Sequence, residues 1–286
     1  MEVRKNFILY VIGFVIFAIV NILVSTYIAA SVYRWIKVLE VILLGLVIIN
    51  TKKFDVFKNF VKPLSYSVLI YCLLGIFQEI AKRSNVAPYP YAFFSHPNSF
   101  AGFLLVFGIF LLQYKNKFDA KYFWALVVLT TTNLVFTNSL NVYMAIGLIL
   151  LLKFRKNAAF GFLSLDFGAR FVTHRIELIK AAFQIIKENF FVGVGLNNFI
   201  PNLVKVSSTF VNSWELQPVH NIFLLILSEV GIVGLIMFVF LLSNLTFTYQ
   251  LFAILITGLN DHYWLTLQQN ILLFTFVVII SRKKHI

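Results

Sequence analysis

Charge is what this sequence has least of. Asp, Glu, Lys and Arg make up 12% of its 286 residues, and hydrophobic residues make up 60%. A soluble domain is roughly 45–50% apolar and about 25% charged. So little polar side chain cannot cover a water-facing globule. That excludes a soluble enzyme, a disordered protein and a coiled coil, and it leaves a polytopic membrane protein. Cysteine is nearly absent too. Cys72 stands alone inside an apolar run, so neither an intrachain disulfide nor a cysteine-based metal site can form. Acidic residues number only 11, and with the 5 histidines they do not fall at metal-ligand spacing. No P-loop, Gly-rich dinucleotide motif or internal repeat occurs. No metal and no cofactor are expected.

What is present is a succession of apolar runs. A helical span needs about 20 mostly apolar residues to cross a core roughly 30 Å thick. Ten candidates can be read: 7–29, 35–50, 63–81, 99–113, 122–137, 142–154, 158–173, 221–242, 245–259 and 267–281. Arg4 and Lys5 before the first run resemble a signal peptide, but no small-x-small cleavage site follows, so an uncleaved helix is expected. Two runs are weak. Residues 158–173 carry Asp166 and Arg170, and 245–259 has almost no loop before it. The expected fold is therefore all-α: a polytopic transmembrane bundle of about ten spans, forming a single integral membrane domain over 1–286.

Lys and Arg total 24 against 11 Asp and Glu, a net charge of +13. In a soluble protein this would point to nucleic acid. Here the basic-loop bias of membrane proteins accounts for most of it. Fifteen of the 24 fall in alternate segments: Arg4 and Lys5; Lys52, Lys53, Lys58 and Lys62; Lys115, Lys117 and Lys121; Lys153, Arg155 and Lys156; Arg282, Lys283 and Lys284. Those segments are placed in the cytoplasm, with both termini, and the partner is the lipid bilayer rather than nucleic acid. The stretch 174–220 then lies outside. Within it Ile176, Ile179, Phe183, Ile186 and Phe190 recur every three or four residues, the stripe of a helix lying in the membrane interface.

The most informative segment is 220–234. His220-Asn221 is followed by nine residues and then Gly231-Ile232-Val233-Gly234. On a straight helix Gly231 lies within about 20° of His220 and Gly234 about 40° to the other side. His220 would mark the outer mouth of the span, with Gly231 and Gly234 below it admitting a neighbouring helix. Glu229 would point to the opposite face and need a partner of its own. From this stretch alone, an interfacial histidine at a helix mouth is the plainer reading.

His-Asn, nine residues, Gly-x-x-Gly resembles the most specific motif of the bacterial O-antigen ligase and O-antigen polymerase superfamily. Other segments resemble that family in the same order: His96–Ala101, Arg175–Leu178 with Ala181-Ala182, Val192–Phe199 and Gly258–Trp264. There are departures. Thr137–Asn141 keeps the serine of the family's Ser-Arg-Gly but has Leu140 where the arginine stands, and the basic loop after the 221–242 span is nearly absent. The chain reads as an abridged member.

The resemblance implies a metal-independent, inverting glycosyltransferase of surface polysaccharide and lipopolysaccharide assembly in the bacterial inner membrane. Its donor would be a polyprenyl-diphosphate-linked glycan, such as an undecaprenyl diphosphate, and its acceptor a glycan or lipid on the external face. It implies His220 as base, since an imidazole titrates near neutrality, and Arg175 as diphosphate ligand. Arg170, His174, Lys180, Asn221 and Arg83 are further candidates for the substrate site, with Arg83 placed to replace the missing arginine. For Arg170 and Lys180 a phospholipid headgroup contact is the plainer role. Asp261-His262 reads as an exposed polar turn. Two other readings stay open: a transporter or flippase of a lipid-linked or anionic solute, and an inactive membrane scaffold.

Overall fold

The computed structural model describes residues 2–82, 91–154, 169–207 and 215–282. Among these residues there is no β-strand, and the chain runs through twelve α-helices. They are α1 (Glu2–Leu23), α2 (Ile28–Asn50), α3 (Lys62–Lys82), α4 (Pro97–Gln113), α5 (Ala120–Thr137) and α6 (Leu140–Phe154), then α7 (Ala169–Glu188), α8 (Phe199–Val206), α9 (Ile222–Ser243), α10 (Tyr249–Gly258), α11 (Tyr263–Thr266) and α12 (Gln268–Ile280). A π turn, Phe57–Val61, leads into α3. Nine of the ten apolar runs carry a helix; the other, 158–173, falls largely outside the described residues. Two helical stretches, Phe57–Ala81 and Ile222–Ser243, are long and apolar enough to cross a membrane.

The helices sort into two compact units. One comprises residues 1–44 and 166–245, the other 45–165 and 246–286. In the second unit α4 is the core helix. His96 caps it, its Nδ1 accepting the Asn98 N–H at 3.2 Å, and Pro97 takes the first helical position, where its missing donor costs nothing. From Phe100 to Leu111 it is apolar all round, and Phe100, Leu104, Phe107 and Phe110 are fully buried. It packs among α5, α6, α10 and α12. Asp119 caps α5 through the Lys121 and Tyr122 N–H groups, and Asn138 ends it in the left-handed region.

In the first unit one expectation fails. The first apolar run does not continue to 29, because the chain breaks between α1 and α2 at 24–27. There the Thr26 N–H donates to the Val194 carbonyl at 3.4 Å and the Tyr27 N–H to Asn198 Oδ1 at 2.7 Å. Distant polar groups outbid continuation of the helix. The apolar stripe on α7 is not the face that packs into this unit. Ile176, Ile179 and Phe183 are exposed, and of that stripe only Ile186 is buried within the helix. The buried face is Leu178, Ala181, Ala182 and Ile185, which packs with Val194, Phe199, Leu203, Val219 and Leu225. Its two alanines let α9 approach closely, which the bulkier stripe would not.

Candidate active site

The motif histidine sits where two devices fix the chain. Asn221 is the N-cap of α9: its Oδ1 accepts the Phe223 and Leu224 N–H groups at 2.9 and 3.0 Å. That places His220 immediately outside the helix, half-buried, beside the fully buried Val219. The Asn221 side-chain oxygen is thus committed to the start of α9. On the other side, His174 of α7 donates from Nε2 to the Glu215 carbonyl at 3.1 Å. This ties the start of α7 to the segment leading into His220. Arg175 follows on the same turn, half-buried, three residues before Leu178 on the face that packs against Val219 and Leu225. The same small core therefore supports both Arg175 and His220.

The other candidates scatter. Lys180 is exposed and paired with Glu177 at 2.7 Å, an exposed ion pair of little energetic weight. Arg170 lies in the first turn of α7. Arg83 is outside the described residues. Leu140 opens α6 in the second unit beside buried Ser139.

Below His220 the helix is not straight. Gly231 has φ 65° and ψ −171°, a break inside α9. The turn 190–195 fills it. Val194 and Gly195 N–H groups donate to the Ser228 and Glu229 carbonyls at 3.0 Å each, and the Ile232 N–H donates to the Phe190 carbonyl at 2.8 Å. A Cβ on Gly231 would overlap the Phe191 carbonyl, and one on Gly193 the Glu229 carbonyl. What Gly231 admits is thus a backbone turn, not a neighbouring helix, and the straight-helix angles hold only down to the break. Gly234 lies beyond it, where an added Cβ would meet Val230 and come to 3.6 Å from Phe17 of α1.

The break also gives Glu229 its partners. Its Oε1 accepts the Phe199 N–H at 3.1 Å, capping α8, and the Arg34 guanidinium on α2 acts on it electrostatically. Sequence reading missed the amide that locks this region. Asn21, fully buried in α1, donates to the Val192 and Glu229 carbonyls at 2.8 and 2.9 Å. Its Oδ1 accepts the Leu196 and Trp35 N–H groups at 3.0 and 2.9 Å. A lone amide inside an apolar run was the available signal. Asn21→Leu strands four such groups. It should lower stability by about 2 kcal/mol, read as a fall in thermal midpoint in detergent; an unchanged midpoint would refute this role.

In the second unit two family-like segments meet. Asn98 Nδ2 donates to Asp261 Oδ2 at 3.3 Å, and Asp261 Oδ1 accepts the His262 N–H at 2.8 Å. Asp261 is buried, so the exposed-turn reading is overturned: α4 covers it. Asn141 Nδ2 donates to the Asn260 carbonyl at 3.1 Å, fastening the Thr137–Asn141 segment to the same place.

A family model described as O-antigen ligase matches residues 95–239, half of the chain, from just before α4 through most of α9. No curated protein and no solved structure matches.

Proposed function

The chain belongs to the O-antigen ligase family, and from that premise we propose that it moves a glycan from a polyprenyl diphosphate to the hydroxyl of a glycan or lipid acceptor, at the external face of the bacterial inner membrane. In this reading His220 takes the acceptor proton as the hydroxyl oxygen attacks the anomeric carbon. The bond from that carbon to the diphosphate oxygen breaks, and the leaving diphosphate carries away the electron pair. Attack from the face opposite the diphosphate inverts the centre. Arg175 meets the charge that develops on the leaving group, where fixed cations act most strongly. His174 positions that turn, and Asn221 positions His220. Neither step calls for a metal or a nucleotide.

The observation that supports this best is the shared footing of Arg175 and His220 on one core, tied by the His174–Glu215 hydrogen bond. The membrane arrangement goes with it: about ten spans in one integral membrane domain, both termini in the cytoplasm, and 174–220 outside. The exposed Ile176, Ile179 and Phe183 of α7 would then rest in the interface. A transporter would use the break in α9 as an open ion or substrate site. Here the turn 190–195 already satisfies the broken ends, which favours transfer.

The test is transfer by the purified chain from a defined polyprenyl-diphosphate glycan, following release of the free lipid diphosphate. Arg175→Ala should lower kcat/KM for the donor about 100-fold, with Arg175→Lys recovering part. A variant as fast as the parent would remove Arg175 from the site, and no transfer by the parent would remove the reading.

A further inference from the structure

One end of the second unit carries the basic loops around the π turn and α5. Between Phe57–Val61 and the start of α5 lies an open cavity of about 300 Å³. It is lined by Lys62 and Lys117, by Phe57, Tyr66, Phe118 and Tyr122, and by one carboxylate, Asp119. The site is built rather than incidental. The Lys62 N–H reaches five residues back to the Phe57 carbonyl, the wide turn that sets Phe57 beneath the cavity. Lys117 Nζ lies 5.5 Å from the Phe57 ring centroid and 5.4 Å from that of Tyr114, and Phe57 meets Phe118 edge-on at 4.9 Å. Tyr122 is held by Ser65, hydroxyl to hydroxyl, at 3.1 Å.

The charge is one-sided. Residues 52–62 and 115–121 hold seven lysines against two aspartates. Both carboxylates are engaged at helix starts. Asp55 accepts the Lys58 N–H at 2.9 Å, which with nearby Lys117 and Lys58 holds it below the usual carboxylate range. Asp119 accepts the Lys121 and Tyr122 N–H groups. From the rim, exposed Tyr66, Ile70, Leu73 and Phe77 run along one face of α3, and exposed Trp124 and Val128 run along α5 beside it. The stretch Phe57–Ala81 is long and apolar enough to span a membrane. Cationic cavity, aromatic rim and apolar stripe thus succeed one another in the order of a phospholipid's own parts.

We propose that this cavity holds the phosphodiester headgroup of an anionic glycerophospholipid, with Lys62 and Lys117 on the phosphate and the acyl chains along the Tyr66–Phe77 stripe. A soluble anion would leave the stripe unused, and a zwitterionic headgroup would bring its own cation into a basic site. The site involves none of the residues assigned to glycan transfer, so it stands or falls separately.

The test uses the full chain, delipidated in detergent and titrated with phosphatidylglycerol or phosphatidylcholine, with bound lipid counted by native mass spectrometry. Phosphatidylglycerol should bind about tenfold more tightly. The double variant Lys62→Ala, Lys117→Ala should erase that preference without changing phosphatidylcholine binding. Lys52→Ala, Lys53→Ala, removing the same charge elsewhere, should keep it. Equal losses in both double variants would overturn the proposal by showing a diffuse charge effect. So would equal binding of the two lipids, or full displacement of phosphatidylglycerol by millimolar inorganic phosphate, the mark of a free-anion site.

Discussion

His220→Ala is expected to lower glycan transfer about 1,000-fold, within the range of a lost general base, while leaving the donor KM within about twofold. The imidazole lies outside α9, and Asn221 Oδ1 accepts the two cap hydrogen bonds of that helix. Truncating it should therefore leave the α9 cap in place, and the thermal midpoint in detergent should match the parent's. Asn221→Ala makes the contrasting case. It removes the cap, at a cost of about 1 kcal/mol, and frees His220 to wander, so both midpoint and kcat should fall. Asn221→Ser retains a capping oxygen and should recover both. A chemical role for His220 and a positioning role for Asn221 thus predict different pairs of numbers. Equal transfer by parent and His220→Ala would sink the base assignment, and a fall in kcat matched by a fall in midpoint would reduce His220 to a structural residue.

The parts of this fold that were legible in the sequence are those decided locally. Apolar runs such as 99–113 and 221–242 became helices because their composition admits little else, and their starts carry visible signals in His96-Pro97 and in Asn221. The His220 motif was likewise readable, because its spacing is a local pattern. What was not legible depends on partners far along the chain. The break at 24–27 exists because residues 194–202 offer donors and acceptors there. Asn21 reads as a blemish in an apolar run until Val192, Leu196 and Glu229 are brought to it. The packing face of α7 was not legible for a related reason: periodicity picks out the bulky stripe Ile176, Ile179 and Phe183, whereas close approach to α9 uses the face with Ala181 and Ala182. Asp261 was read as exposed because nothing in its neighbourhood announces Asn98, 163 residues earlier.

Gly231→Ala carries the largest expected cost to stability, because three effects act at one atom. The backbone there, φ 65° with ψ −171°, belongs to a region essentially reserved for glycine, and strain in such regions costs about 1–3 kcal/mol. The new methyl would also overlap the Phe191 carbonyl and the Val192 nitrogen, backbone atoms that cannot turn aside as a side chain could. To relieve this, α9 must move away from the turn, releasing the bonds from Val194, Gly195, Ile232 and Val233 that close the break. Glu229 would move with it and uncap α8 at Phe199. The sum should reach about 4 kcal/mol or more, enough to lose most folded protein from a marginally stable chain. Size-exclusion recovery in detergent and the thermal midpoint would report it. Gly108→Ala is the matched control. That glycine lies within helix α4, and nothing would stand within 4 Å of its Cβ, so the substitution should be neutral or stabilising by up to about 1 kcal/mol. If the two alanine variants unfold at the same temperature, the break in α9 is not held by the 190–195 turn, and the geometry beneath His220 would have to rest on some other support.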